Sequence, residues 1–365
     1  MGAGWEDTVS LDLSPLPDVP GPDGAASRAG RIVTGLLVET MLEVDCTGRV
    51  GPGLAEAWTM EGDAAAWTFR LRPTARFSDG SPVDARAIEA AWSVRRQVSV
   101  VPVDRRTVRA RFADPVRDPR VFATQEMAVV RREGGAWPVG TTGYRMGEDG
   151  THLLPRSAGL PVMVVRAARD PRDRPGVGPG LAVSADPDVL DYLRTRPQTV
   201  VVPLSWDRVY RLFAPVDLAA RLPGEATWPA DLAREAVRTS ARAAEPPFWW
   251  GTARGCEPDL PSPAAPRLLY AVHDPTAAAL AGRIRALTGV RLKAVPHAEL
   301  SAALRRPGVA VLWGGWRESA GTCRPGGRVV TIPLVDTRAH LVVRGPHGPI
   351  RLRAGGLFGI EGNGR

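Results

Sequence analysis

Hydrophobic and polar positions alternate most cleanly over residues 67–71. Trp67, Phe69 and Leu71 share one side and Thr68 and Arg70 the other, the pattern of a half-buried strand. Ser78-Asp79-Gly80 follows as a turn, and Ser81-Pro82-Val83 reads as a short extended piece. Asp84 then stands where an N-cap belongs, with Ala87, Ile88, Ala91 and Trp92 at helical spacing behind it. Ahead of the strand, Asp45-Cys46-Thr47-Gly48 is a turn and Pro52-Gly53 breaks the chain. The stretch 36–96 is the best-patterned part of the sequence.

The same reading extends along the chain. Strands are expected at 8–13, 107–112, 161–167, 199–204, 267–272, 290–295 and 309–313, and at 329–332, 339–343 and 350–352 near the end. Helices are expected at 32–42, 186–194, 231–244, 275–287 and 298–305, with Pro187 at a first helical position behind Asp186. A short helix running into a strand is expected over 121–130, and a Pro-rich linker over 257–266. The alternation of strand and helix after residue 267 predicts a βαβ unit.

Three pieces of this sequence, in order and spacing, carry a resemblance. They are Gly51-Pro52-Gly53-Leu54-Ala55-Glu56-Ala57-Trp58, then Trp67-Thr68-Phe69-Arg70-Leu71-Arg72, then Phe77-Ser78-Asp79-Gly80-Ser81-Pro82-Val83 with Ala85. Together the stretch resembles the signature of the family 5 extracellular solute-binding proteins, the oligopeptide-, dipeptide- and nickel-binding receptors of ABC importers. Pro138-Val139-Gly140-Thr141-Thr142-Gly143-Tyr144 resembles that family's Pro-Val-Gly-Thr-Gly-Pro-Tyr turn, with Gly143 expected to supply an unusual backbone angle. The implied fold is α/β: a two-lobed periplasmic-binding-protein-like fold, class II and family 5 type, with a reduced second lobe. The implied organisation is the start of the main lobe at 1–35, a small lobe at 36–137 and the main lobe to the hinge at 138–250. The reduced second lobe follows at 251–328, and 329–365 returns to the main lobe.

The resemblance also marks departures. Family members carry a Gly-Trp-x-x-Asp-Tyr motif whose Trp and Asp sit at the ligand cleft. Here Gly315-Trp316-Arg317-Glu318-Ser319-Ala320 takes its place. Trp316 is kept, Ser319 stands where the acid belongs, and Glu318 is adjacent. A buried ammonium without a carboxylate is costly, so ordinary peptide capture is put in question. The segment 317–330 is also shorter than the pair of helices the family inserts there. Bare apolar sheet surface invites a partner, so a protein partner covering the reduced second lobe is expected.

Composition narrows the options. The chain has 365 residues, 44% of them hydrophobic, enough for two or three domains. No apolar run approaches the ~20 residues of a membrane span. The N-terminal residues as written show no leader and no lipobox cysteine, which implies a cytoplasmic protein, or a periplasmic or extracellular lipoprotein whose leader was removed. The net charge of +8 comes almost wholly from arginine, Lys293 being the sole lysine. The arginines are scattered and accompany no nucleic-acid-binding motif. Cys46, Cys256 and Cys323 have neither zinc nor disulfide spacing. The five histidines show no metal-ligand spacing, and no nucleophile elbow, P-loop or dinucleotide fingerprint is present. No metal and no cofactor is expected.

The candidate ligand-binding residues are Glu39, Asp45, Trp313, Trp316, Arg317 and Glu318. Trp249-Trp250 reads as core packing or a pocket wall. Asp45 reads either as the acid of its own Asx-turn or as a carboxylate at the cleft mouth, with Glu39 in support and Arg317 holding an anion opposite. Two readings of function stand. In the first, a receptor holds a small polar, peptide-like or amine- and anion-bearing solute in an interlobe cleft and hands it to an ABC permease. In the second, an intracellular enzyme subunit of natural-product (antibiotic) biosynthesis, working in a heteromer, uses Asp45 as its catalytic acid–base group. Its example reaction is aziridine ring closure, an amine displacing sulfate intramolecularly. A ligand-sensing half of a regulator is a third, weaker reading.

Overall fold

The computed structural model describes residues 7–13, 27–62, 66–93, 98–113, 115–132, 137–167, 179–222, 241–243, 255–256, 267–272, 274–303, 309–316, 324–325 and 329–362. The chain divides into two compact units, residues 1–205 with 339–365 and residues 206–338.

The first unit begins with β1 (Thr8–Leu13) and α1 (Arg28–Leu37), then the hairpin β2 (Leu42–Val44) and β3 (Val50–Pro52). The strands β4 (Ala55–Met60) and β5 (Ala66–Leu71), the helix α2 (Ala85–Trp92), and the strands β6 (Val98–Pro102) and β7 (Thr107–Phe112) follow. Next come β8 (Tyr144–Met146), β9 (His152–Pro155), β10 (Val162–Ala167), β11 (Gly180–Ser184), α3 (Pro187–Arg194) and β12 (Thr199–Pro203). The second unit holds β13 (Arg208–Pro215), α4 (Val216–Ala219), β14 (Ala241–Ala243), β15 (Gly255–Cys256), β16 (Arg267–Ala271), α5 (Pro275–Thr288), β17 (Arg291–Val295), α6 (His297–Ala303), β18 (Val309–Trp316), β19 (Arg324–Pro325) and β20 (Val329–Thr337). The chain then returns to the first unit with β21 (His340–Arg344), β22 (Ile350–Leu352) and β23 (Phe358–Ile360).

In the first unit a seven-stranded mixed sheet runs β12-β21-β11-β1-β10-β9-β8. Parallel β10 and β11 flank β1, and the outer pairs are antiparallel. Val9, Leu11 and Leu13 of β1 pack with Ile32, Val33, Leu36 and Leu37 of α1 in its core. A separate four-stranded antiparallel sheet, β4-β5-β7-β6, carries the signature stretch. The alternation over 67–71 is realised as expected: Trp67, Phe69 and Leu71 are buried while Arg70 is exposed. Their rings build an aromatic cluster, with the centroids of Phe69 and Phe122 4.7 Å apart and those of Trp67 and Phe122 5.2 Å apart. Both indole N–H groups find acceptors: Trp67 donates to the Val116 carbonyl (2.8 Å) and Trp92 to that of Met127 (3.2 Å), as buried indoles must. Asp84 caps α2 by accepting from Ala87 N at 2.9 Å.

In the second unit a six-stranded sheet runs β14-β20-β13-β18-β16-β17. The strands β17, β16 and β18 are parallel, joined through α5 and α6, which is the βαβ arrangement the alternation implied. Asp274 caps α5 by accepting from Ala277 N (3.0 Å), and Gly289 ends it at φ +70°. Leu280, Ala281 and Ile284 of α5 and Leu218 of α4 cover one face, against Leu268, Leu312 and Tyr210. On the other face Leu300 and Ala303 of α6 meet Phe213, Leu269 and Val311. The premise of a bare sheet face is therefore not met over the described strands β13, β16 and β18.

Four local expectations change. The helix expected over 32–42 runs instead over Arg28–Leu37 and ends at Val38 in extended backbone, and Leu42 opens β2. Over 121–130 the chain forms two short 3-10 turns, Pro119–Ala123 and Gln125–Met127, in place of a helix and strand. Burial of Phe122 and Met127 in the aromatic layer sets that path. Residues 241–243, placed at the end of a helix over 231–244, form β14 beside β20, an edge pairing that overrides local helix propensity; the rest of 231–244 lies outside the described residues. Gly143 does not take a positive φ. The crowded glycine of that turn is Gly140, where a Cβ would lie 1.9 Å from the Leu37 carbonyl oxygen. The linker over 257–266 and Trp249-Trp250 lie outside the described residues.

Candidate solute site

Open sheets with parallel strands take ligands beyond the carboxyl ends of those strands. In the second unit those ends are Ala271 of β16 and Trp316 of β18, with Asp274 following at the start of α5. Strand β13 runs antiparallel to β18, so Arg208 lies opposite Trp316 and Tyr210 opposite Gly314. Cross-strand neighbours on one face touch. The Arg208 guanidinium sits 4.8 Å from the Trp316 ring centroid and 5.6 Å from that of Tyr210, within cation–π range. Its Nη2 donates to Asp274 Oδ2 (3.1 Å) and to the Gly314 carbonyl (3.4 Å). The Tyr210 hydroxyl donates to Asp274 at 3.0 and 3.1 Å. One carboxylate thus holds a guanidinium, a phenol and a helix N-terminus.

Glycines make this possible. A Cβ on Gly314 would lie 2.6 Å from the Tyr210 ring, and one on Gly315 would fall 1.9 Å from the Trp313 ring. The Gly-Gly pair lets an aromatic ring lie flat across the strand on each face. Trp313 and Trp316 differ by three positions, so strand alternation turns them apart. Trp313 packs at the edge of the α6-side cluster, while Trp316 stands with Arg208. The result is an aromatic and cationic platform backed by a carboxylate, partly open to solvent: the Arg208 side chain keeps 20% of its exposure and Asp274 14%.

The other candidates sit in the first unit. Glu39 follows α1, and its carboxylate takes both oxygens to Arg72 Nη2 at 2.7 and 2.8 Å. Arg72 Nη1 donates to the Gly53 carbonyl (2.7 Å) and Glu39 N to Thr141 Oγ1 (2.7 Å). Burial pushes the Glu39 carboxyl up, and the Arg72 charge and hydrogen bond pull against it. Asp45 Oδ1 accepts from Thr47 N (2.8 Å), Thr47 Oγ1 (2.6 Å) and Arg49 N (3.0 Å). The Thr47 hydroxyl and then the Arg49 amide hold this exposed carboxyl below its ordinary value, away from the range of a general base at neutral pH. Arg317, Glu318 and Ser319 lie outside the described residues.

Sequence reasoning did not single out Arg208, Tyr210 or Asp274. The Asp274-Pro275 pair is a helix-start signal, but its partners lie 66 and 64 residues away. Among the described residues no three His, Cys, Asp or Glu side chains converge to hold a metal ion. No described helix is long and apolar enough to cross a membrane.

Residues 49–100 match the family described as bacterial extracellular solute-binding proteins, family 5 Middle. The chain is 45% identical over 56 residues to the periplasmic oligopeptide-binding protein OppA of Escherichia coli K12. It is 40% identical over 52 residues to the nickel-binding periplasmic protein of the same organism. Those segments are 15% and 14% of this chain and 10% of each relative, so the match spans a tenth of either curated protein. Similarity to solved structures reaches much further. The dipeptide-binding protein of Pseudoalteromonas sp. SM9913, in complex with Met-Leu, superposes with a TM-score of 0.67 at 12% identity, covering 96% of this chain and 98% of that one. NikZ of Campylobacter jejuni, in complex with Ni(L-His), gives 0.66 at 13% identity, covering 96% of each chain. MoaA of A. tumefaciens R10, in complex with mannopinic acid, gives 0.64 at 15% identity, covering 93% of this chain and 94% of that one. The fold is the two-lobed periplasmic-binding-protein fold of the family 5 type. By this fold and by the matched middle segment, the chain is similar to the bacterial extracellular solute-binding proteins, family 5, the sequence match itself being confined to residues 49–100.

Proposed function

We propose that this protein captures a small polar solute bearing an amine, an anionic group or both, and delivers it to an ABC permease. The observation that carries this reading is the Arg208–Trp316 stack anchored by Asp274 at the carboxyl ends of the parallel strands. Trp316 offers a flat apolar face. Arg208 offers a fixed positive charge suited to a carboxylate. Arg317 and Glu318 follow Trp316 in the sequence and carry one charge of each sign.

The solute class follows from those groups and from what similar proteins hold. Peptides, a nickel–histidine complex and an opine such as mannopinic acid are each bound by a protein of this fold. All three carry carboxylates beside amine or amide nitrogen, which an Arg–Trp platform with a neighbouring acid accommodates. With Ser319 at the position of the family's motif acid, a free α-amino group has a weaker anchor, so opine-like and carboxylate-rich solutes rank ahead of ordinary peptides.

Asp45, on which the catalytic alternative rested, engages Oδ1 three times within its own turn, so no second reading is carried forward. The finer lobe boundaries at 35 and 137 belong to this same reading. The test is calorimetric titration of the full chain with a panel of dipeptides, opines and nickel–histidine. Saturable binding of an opine or another carboxylate-rich member supports the reading, and no binding by any member overturns it.

A further inference from the structure

We propose that the first unit carries a binding site for a phosphate or sulfate group, separate in its residues from the Trp316 platform. It occupies a recess of about 270 Å³ whose lining includes Arg72, Arg76, Arg156, Thr142 and Ser157. Three stretches of chain converge there, and backbone bonds tie them together. Ser78 N donates to the Gly140 carbonyl (2.6 Å), joining the loop after β5 to the 139–143 turn, and Arg156 N donates to the Gly143 carbonyl (2.8 Å), joining the segment after β9.

The charges in the recess are unequal in their partners. The charge of Arg72 is matched by Glu39. Arg76 reaches only the Gly80 carbonyl at 3.2 Å, and Arg156 only the Thr142 carbonyl at 3.4 Å. Neither has a carboxylate partner among the described residues. Two guanidinium groups around one recess repel each other, and an anion between them converts that repulsion into two charge-assisted contacts. The hydroxyls of Thr74 and Ser157 add donors. Donors arriving from three stretches of chain suit a tetrahedral oxyanion with several acceptors better than a planar carboxylate with two. The volume also leaves room for a small organic body, so the group is either a free ion or the ester end of a larger molecule.

Calorimetric titration of the full chain at constant ionic strength, with inorganic phosphate, glycerol phosphate and acetate as separate probes, tests this. Saturable one-to-one binding of phosphate or its ester is expected, with acetate at least about tenfold weaker. Tighter binding of the inorganic ion identifies a free-anion site, and tighter binding of the ester identifies a group carried on a larger molecule. The double substitution Arg76→Ala/Arg156→Ala weakens binding by at least about tenfold. Both side chains are exposed, so the fold is expected to survive their loss. Ser157→Asp, which adds a carboxylate and removes no guanidinium, gives the same loss. The proposal is overturned by no saturable binding of phosphate or ester, by wild-type affinity in both variants, or by acetate binding as tightly as phosphate. These variants leave Arg208 and Trp316 untouched, so failure here is separable from failure of the solute reading.

Discussion

Arg208 and Trp316 face each other across β13 and β18, guanidinium over indole at 4.8 Å, at the end where β18 stops. Neither can move independently. Asp274 fixes Arg208, the Tyr210 hydroxyl fixes Asp274, and Gly314 leaves the space for the Tyr210 ring. Removing the centre of this arrangement has a defined consequence. Asp274→Asn keeps a cap acceptor for α5 but takes away the charge that orients Arg208, so solute affinity falls by about tenfold, near 1.4 kcal/mol. The stability lost is smaller, because the Ala277 amide keeps a partner; calorimetry and urea unfolding on the same variant separate the two effects.

The Glu39–Arg72 pair makes a prediction about stability. The side chains retain 12% and 33% of their exposure, and Arg72 also serves the Gly53 carbonyl. Truncating one partner of a largely buried ion pair leaves the other charge stranded, at about 3 kcal/mol. Arg72→Met is therefore expected to lower the urea midpoint of the unit-1 transition, and Glu39→Gln, which keeps a hydrogen-bond acceptor, to lower it less.

Core packing around the signature strand is tested by Phe69→Ala. Phe69 is fully buried and meets Trp67, Trp92 and Phe122. Deleting such a ring costs about 3–5 kcal/mol. Trp92→Phe is milder, losing packing volume and the bond to the Met127 carbonyl, with about 1 kcal/mol from the bond itself. Denaturant unfolding followed by tryptophan fluorescence measures both.

Acid sensitivity has one identifiable contributor. Asp79 is held at about 2, from an ordinary 3.8, by the Ser81 hydroxyl and then by Arg131. Its folded value lies below its unfolded value, so the stabilisation is complete above pH 3.8 and is lost as pH falls towards about 2. The carboxylate is 43% exposed, so water screens the pair and the effect is small. Asp79→Asn should remove that part of the pH dependence between those limits and leave the neutral-pH midpoint only slightly lower.

Much of this was legible in the sequence wherever the signal is local. The two-residue alternation of Trp67, Phe69 and Leu71, the capping positions of Asp84 and Asp186, and the βαβ pattern after residue 267 all depend on neighbours within a few positions. What escaped depends on distant pairing. Residues 241–243 read as helix because the edge that recruits them, β20, lies almost a hundred residues on. The site divides in the same way. Trp316 could be found from the resemblance of Gly315-Trp316 to the family's cleft motif. Arg208 and Tyr210 become relevant only once β13 lies antiparallel to β18, and no periodicity announces that register. Gly140 stood in the turn motif for a reason the sequence could not state, the approach of the Leu37 carbonyl.

The central claim is that Trp316 and its cationic neighbour form the surface on which solute rests. Its most direct test is titration of wild type and Trp316→Ala, side by side, with the tightest-binding member of the peptide, opine and nickel–histidine panel. Loss of a buried aromatic contact predicts an affinity at least about tenfold lower in the variant, with unfolding midpoints little changed. Equal affinity in the two proteins contradicts it.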